Sequence, residues 1–383
     1  MSLSDQICVI LNLFLTFNNQ STFLFQNFSL MNLLNRIILV TFFFLLFVCF
    51  SIYAQSKNKI RLGFYNVENF YDVFTDSTRE YNAFTQEGDQ HWDYNRFQSK
   101  RNNIYKVIVA LGEGIPPAIM GFCEVENDIV LRELIYKTPL KKFNYQYVNY
   151  PSPDRRGIDV AIIYRTDLMR LLSSKPIPVV DPVDSSFKTR DILYASFIIS
   201  DIDTLHFFVN HWPSRYGGVL SSMNKRMLVA RILKHQTDSI FNSFPRAKIV
   251  IMGDFNDCPN DESLLKGLQI GDNDVSGLHH NLINLFGEGT TLGFDGTLKH
   301  EHQWQIFDQI IVSDFIFNAS DNLKYDTGSA RIFTAPYLLT EDERYLGKKT
   351  FRTYSGPSYI GGFSDHLPIY IDLEWNEKTS ITN

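Results

Sequence analysis

Charge is nearly missing from the first 54 of the 383 residues, where Asp5 and Arg36 stand alone among 10 of the chain's 32 phenylalanines. Cysteine is scarce as well. Cys8 and Cys49 lie in that front segment, which leaves Cys123 and Cys258 for the rest, too few for a disulfide-built scaffold. Basic residues are not in excess: the net charge is −6, all of it beyond residue 54, which argues against a binder that holds nucleic acid by bulk charge. No repeat of fixed period and no Gly/Ser- or Pro-rich linker interrupts residues 55–383. A content of 44% hydrophobic and 14% aromatic residues excludes an intrinsically disordered chain.

The front segment has a pattern of its own. Residues 37–53 form an uncharged apolar run of 17, preceded by Arg36 and followed by Ala54. A basic residue, an apolar stretch and a small residue at the junction make the layout of a secretory signal peptide, with an uncleaved anchor as the alternative. Residues 1–30 suit such a leader poorly, and Met31 is the expected true start. Cys49 after Leu46-Phe47-Val48 resembles a lipid-attachment signal, weakened by the bulky Val48. The expectation is a leader over 1–54 and one catalytic domain over 55–383, exported to the periplasm, the outer surface or the medium. Cys123 and Cys258 are expected to be buried free thiols.

Beyond the leader, strand patterns at 59–66, 118–122, 145–150, 158–164, 192–199, 205–209, 248–252, 304–312 and 368–373 alternate with helical patterns at 96–111, 130–136 and 223–241. Residues 321–361, rich in Gly, Tyr and charge, read as long surface loops. The fold class is α/β, one domain with a sheet-dominated core.

Polar residues gather where the apolar strands end: Asn66, Glu124, Asp159, Asn210-His211, Asp254-Phe255-Asn256, Asp308 and Asp365-His366. Strand ends are where a sheet presents side chains to a shared cleft. Glu124 follows the apolar Met120-Gly121-Phe122-Cys123 and offers a hard carboxylate of the kind Mg²⁺ or Ca²⁺ takes, while Glu126 is expected to cap the following helix. In Gly253-Asp254-Phe255-Asn256 an acid and an amide lie two residues apart and can face one side, a set suited to holding a water and donating to a phosphoryl oxygen. Asp365 and His366 reach one site only if the chain turns there, which Gly361-Gly362 and Pro368 favour. Asp308 is available to fix the tautomer of His366. His279-His280 and the stretch 299–302 match no zinc spacing.

With these motifs in place, the sequence resembles the endonuclease/exonuclease/phosphatase superfamily, the deoxyribonuclease I-like fold, and within it the secreted bacterial extracellular nucleases. The resemblance runs from about residue 59 to 373. It implies a four-layer sandwich of two mixed sheets with helices outside. It also implies Asn66, Glu124 and Asp365 as metal-side residues. Asp254 and Asn256 would position water and phosphate, Asp308 would orient the catalytic imidazole of His366, and His211 would be the strand-end histidine of the nuclease and sphingomyelinase branches. Asp159 would orient His211 or touch phosphate. The reaction implied is phosphoester hydrolysis assisted by Mg²⁺, or Mn²⁺ or Ca²⁺ in its place. Which histidine is base and which is acid is open.

Nucleic acid is the expected substrate, acted on by a monomer with no obligate protein partner. Arg155-Arg156, Lys188-Thr189-Arg190, Arg215 and Lys225-Arg226 flank the motifs as a local basic rim, with Arg215 and Arg190 as phosphate contacts. The alternatives are a phospholipid, sphingomyelin or inositol-phosphate esterase of the same fold, and a non-catalytic surface-binding protein.

Overall fold

The computed structural model describes residue 41 and residues 59–74, 81–199, 203–271, 281–318 and 323–375. The expected leader, the start at Met31, the possible lipid site at Cys49 and the pair His279-His280 lie outside the described residues. Contacts divide the chain into two units, Met1–Asn58 and Lys59–Asn383. Among the described residues no helix is long and apolar enough to cross a membrane.

Strands β1 (Lys59–Phe70), β2 (Ile119–Val125), β3 (Tyr145–Asn149), β4 (Asp159–Arg165), β5 (Met169–Ile177), β6 (Ile192–Ile199), β7 (Asp203–His211), β8 (Lys248–Asp254) and β9 (Leu282–Asn284) are followed by the β10–β11 hairpin (Leu298–His300 and Gln303–Gln305) and β12 (Asp308–Ser313). Then come β13 (Leu323–Tyr325), β14 (Arg331–Ile332), the pairs β15–β16 (Leu339–Glu341, Lys348–Thr350) and β17–β18 (Tyr354–Ser355, Ser358–Tyr359), and β19 (Ile369–Trp375). Among the described residues from 59 on, the α-helices are α1 (Tyr94–Leu111), α2 (Asp128–Tyr136), α3 (Val219–Ser243) and the single turn α4 (Asp314–Phe317).

Two mixed sheets result, ordered β13-β19-β1-β2-β4-β3 and β5-β6-β7-β8-β12-β9, with β14 also on β19. Period-2 alternation decides which side chains go where. On β8, Val250 and Met252 join the core between the sheets, whereas Ile249 and Ile251 join a separate cluster with Val229, Ala230, Leu233 and Phe241 of α3. Helix α1 packs on the first sheet with Phe97, Ile104, Val107 and Leu111 buried. This is the four-layer α/β sandwich that the sequence resemblance implies. The two sheets approach closely at Gly121, where a Cβ would sit 2.6 Å from Met252 Sδ.

Several local expectations change. The stretch read as one strand over 304–312 breaks at Phe307, so Asp308 opens a strand instead of lying inside one. Strand β5 was not expected, because as an edge strand it is polar and half-exposed. Residues 321–361 are not only surface loops: they contain short paired strands and bury Leu323, Tyr325, Ile332, Leu338 and Tyr354. Helix α2 is capped by Asn127, whose side chain accepts from Ile129 and Val130, and not by Glu126, which accepts from the backbone N–H of Asp72. Cys123 and Cys258 are free thiols, the first buried and the second half-buried.

Candidate active site

Topology brings the strand-end residues together. Strands β1 and β2 run parallel in one sheet, and β7 and β8 run parallel in the other, so their C-terminal ends share one rim of the sandwich. The antiparallel neighbours β4, β12 and β19 begin at that rim. Asp254 is therefore in register with His211 on one side and Asp308 on the other. Asn66 comes from the opposite sheet and donates to Asp254 Oδ2 at 3.0 Å, which ties the two sheets together at the site.

Both strands of the first sheet lose register here. The β1–β2 pairing slips between Asn66 and Phe70, with Glu68 and Asn69 at φ 50° and 56°. The β2–β4 pairing slips between Cys123 and Val125, with Glu124 at φ 61°. Such bulges re-aim side chains at a sheet edge. They place the Asn69 N–H 2.9 Å from Glu124 Oε2, which also takes the Arg156 guanidinium at 3.0 Å. Among the described residues no donor reaches Glu124 Oε1.

Asp254 is the hub. Its Oδ1 accepts from the Asn256 N–H at 2.9 Å, and its Oδ2 lies 3.7 Å from Nε2 of both His211 and His366. His366 is held through Nδ1 by Asp308 Oδ2 at 2.7 Å. The turn that Asp365-His366 requires is closed by Ser364, whose hydroxyl donates to the Asn66 carbonyl and accepts from the His366 N–H.

The two imidazoles are driven apart in proton affinity. Burial disfavours charge on His366, but the carboxylates of Asp308 and Asp254 outweigh it and hold the ring well above its ordinary range. Burial, Arg190 and Arg156 push His211 well below it. Burial raises Asp254 to about 6, with His366 opposing and Asp308 adding to the rise. A pair of titratable groups split in this way is the usual basis of an acid and base assignment.

The other expected residues are placed as follows. Asn256 donates its side-chain amide to the Trp212 carbonyl at 3.0 Å, which also accepts from Arg190 at 2.8 Å. Arg190 pairs with Asp154, and Arg215 with Asp257 and Asp261. Arg226, fully buried, pairs with Asp257. Of the expected basic rim, Arg155, Lys188 and Lys225 remain exposed. Asp159 accepts from the backbone N–H and hydroxyl of Ser152, and among the described residues it makes no hydrogen bond to His211.

Burial raises the Asp159 carboxyl to about 7, with the two Ser152 bonds opposing. The native state therefore binds a proton that the unfolded chain has lost between about pH 4 and 7, so this group's contribution to stability falls as pH rises through that window. Asp159→Asn is expected to be more stable than the parent at pH 8 by about 1–3 kcal/mol, with the gap closing towards pH 4. Urea unfolding at both pH values measures it, and an unchanged gap would contradict the shift.

Of a second charged cluster only Asp365 had a signal in the sequence. Lys100 is buried, donates to Thr353 Oγ1 and the Phe363 carbonyl at 2.6 Å each, and lies 3.8 Å from Glu68. Glu68 takes Arg352, which reaches on to Asp365 at 3.1 Å. Burial favours the neutral form of Asp365, but Arg352, His366 and Lys100 outweigh it and hold the carboxyl below its usual range.

Asn66, Glu124 and Asp365 offer oxygen atoms alone, with Glu124 Oε1 unclaimed, a set that suits a hard divalent cation keeping several waters. The compact groups of acid, histidine and thiol donors among the described residues are a different set, Cys123–His211–Asp254 and Asp254–Asp308–His366.

Residues 61–375 match the profile of the Endonuclease/Exonuclease/phosphatase family. The chain belongs to this family of phosphoesterase hydrolases, which typically depend on divalent metals. Similar solved structures include a family protein of Bacteroides thetaiotaomicron, 16% identical over 83% of this chain and 98% of that one with a TM-score of 0.52. A mannosyl-6-phosphatase of the same organism is 18% identical over 82% and 100%, with a TM-score of 0.52. A humanized D. rerio TDP2 is 15% identical over 82% and 99%, with a TM-score of 0.50. At these identities the likeness shows the fold. No curated protein matches the sequence.

Proposed function

We propose that this chain is a Mg²⁺-dependent phosphodiesterase acting on nucleic acid. The observation that carries the hydrolysis is the Asp254 carboxylate, 3.7 Å from two imidazoles of opposite proton affinity at the meeting of the sheets. In its ionised form Asp254 accepts a proton from an in-line water, whose oxygen forms the new bond to phosphorus as the ester P–O bond breaks and the leaving oxygen takes up a proton from solvent. His366, protonated and oriented by Asp308, donates to a phosphoryl oxygen and offsets its growing charge. His211, whose Nε2 lies 3.7 Å from Asp254, donates to a second phosphoryl oxygen. Asn66, Glu124 and Asp365 would hold the cation, which when bound supplies Lewis-acid stabilisation of the phosphate charge.

One observation favours a second substrate class, a small sugar-phosphate, inositol-phosphate or phospholipid ester. Arg190, Arg215 and Arg226 are committed to Asp154, Asp257 and Asp261, which leaves fewer free cations to follow a polynucleotide. A panel of plasmid DNA, RNA, sphingomyelin and an inositol phosphate, each with Mg²⁺, Mn²⁺, Ca²⁺ or chelator, separates them. Cleavage of nucleic acid with Mg²⁺, abolished by chelator and weakening steeply with salt, is the expected result. Turnover confined to the small esters would move the assignment to the second class, and none on any substrate would leave a non-catalytic scaffold.

A further inference from the structure

The hydrolysis described above makes no use of Cys123, yet its thiol stands among the residues that carry it. Cys123 Sγ, a ring nitrogen of His211 and a carboxylate oxygen of Asp254 all lie within 4.8 Å of one another. All three residues are buried, at 0%, 5% and 1% exposure. A second set of three donors, from Asp254, Asp308 and His366, is equally compact. Donor chemistry distinguishes the two. A tetrahedral cation with bonds of about 2.0–2.3 Å keeps its donor atoms roughly 3.3–3.8 Å apart. The histidine Nε2 to Asp254 Oδ2 separation is 3.7 Å in both sets, but the His366 ring is already held through Nδ1 by Asp308 and its set has no sulfur, whereas His211 has no such partner and stands beside the Cys123 thiol.

The His211 ring provides an independent indication. Its Nδ1 is buried without a partner, and its Nε2 has only Asp254, beyond hydrogen-bond reach. Neither ring nitrogen is held by a hydrogen bond among the described residues, so the ring can supply a donor to an ion without breaking one.

We propose that Cys123, His211 and Asp254 form a binding site for a thiophilic divalent cation of the zinc class, and that its occupancy switches hydrolysis off. Thiolate, imidazole and carboxylate together are a zinc donor set, and sulfur discriminates against Mg²⁺. The all-oxygen set begins one residue later, at Glu124, so adjacent positions on β2 serve ions of different softness. Binding closes the thiol onto the ion, forms the sulfur–metal bond and releases the thiol proton to solvent. It also occupies the oxygen or ring nitrogen that the proposed reaction requires. The inhibition depends on the phosphodiesterase assignment above, while the ion site itself does not.

The metal-stripped full chain titrated with Co²⁺ is expected to show thiolate-to-cobalt charge-transfer absorption saturating at one equivalent, displaced by Zn²⁺ and lost in Cys123→Ala and Cys123→Ser. In Mg²⁺-supported hydrolysis of bis(p-nitrophenyl) phosphate, each protein normalised to its own zinc-free rate, both substitutions should raise the half-inhibitory Zn²⁺ concentration about tenfold or more. Serine keeps the side chain's size where alanine leaves a small void. Absence of the sulfur band, its survival in the variants, or equal zinc sensitivity in all three proteins would overturn the site. Failure of the parent to hydrolyse any phosphoester would remove the phosphodiesterase assignment alone, because the cobalt spectrum is read without turnover.

Discussion

Asp254→Asn is expected to lower kcat by about 100-fold or more, the scale of a lost general base, while leaving the fold intact. Asparagine has nearly the same size, and its carbonyl oxygen can still accept the Asn256 N–H that Asp254 Oδ1 accepts at 2.9 Å. On the other side it presents an NH₂ group where the carboxylate accepts from Asn66 at 3.0 Å and faces the Nε2 atoms of both histidines. A proton acceptor becomes a donor facing donors. His366 loses one of the two carboxylates that hold it protonated, so the substitution removes the base and weakens the neighbouring acid together. Steady-state kinetics on whichever phosphoester the parent cleaves, with circular dichroism as a check on folding, gives the answer. A well-folded variant within tenfold of the parent rate would remove Asp254 from the centre of the mechanism.

The largest effect on stability is expected at Lys100. Its side chain is fully buried, and burial lowers its pKa to about 8 against the opposing pull of Glu68, Asp365 and Glu124. Lys100→Met fills much of the same space but leaves the Phe363 carbonyl and the Thr353 hydroxyl without their 2.6 Å donor, and Glu68 with one cation fewer. Breaking a buried charged network by removing one partner costs about 3–5 kcal/mol. Because Arg352 and the Thr353 N–H still serve Glu68, the lower end, about 3 kcal/mol, is expected. Urea denaturation should show a lower midpoint at unchanged slope. A loss under about 1 kcal/mol would mean that the charges are solvated or that the network relaxes without Lys100.

How far the site could be read in the sequence differs between its two halves. Asn66, His211, Asp254, Asp308 and His366 were legible because each follows or opens an apolar strand, and period-2 alternation with turn residues is a local signal. The structure connects them through Asp254. Of the Lys100–Glu68–Arg352–Asp365 chain only Asp365 carried such a signal. Its members come from α1, the end of β1 and two separate loops, and what makes them partners is joint burial, which no local pattern carries. The arginines near the motifs show the reverse. Their spacing suggested a rim, yet Arg226 is enclosed and Arg190 and Arg215 face acids from other segments. Strand β5 was missed for a related reason: an edge strand needs only one partner and one apolar face, so its composition resembles a loop.

By itself the sequence determined most of the core strands and the three longer helices of the sandwich, because hydrophobic periodicity and breakers act within a few residues, and it determined which acids and imidazoles sit at the strand ends. Only the tertiary structure decided that Asp254 stands between two histidines of opposite character. Only it decided that a thiol shares their pocket and that most of the nearby arginines are turned inward. Those outcomes follow from the packing of one sheet on the other, which sets burial and distance between residues far apart in the chain.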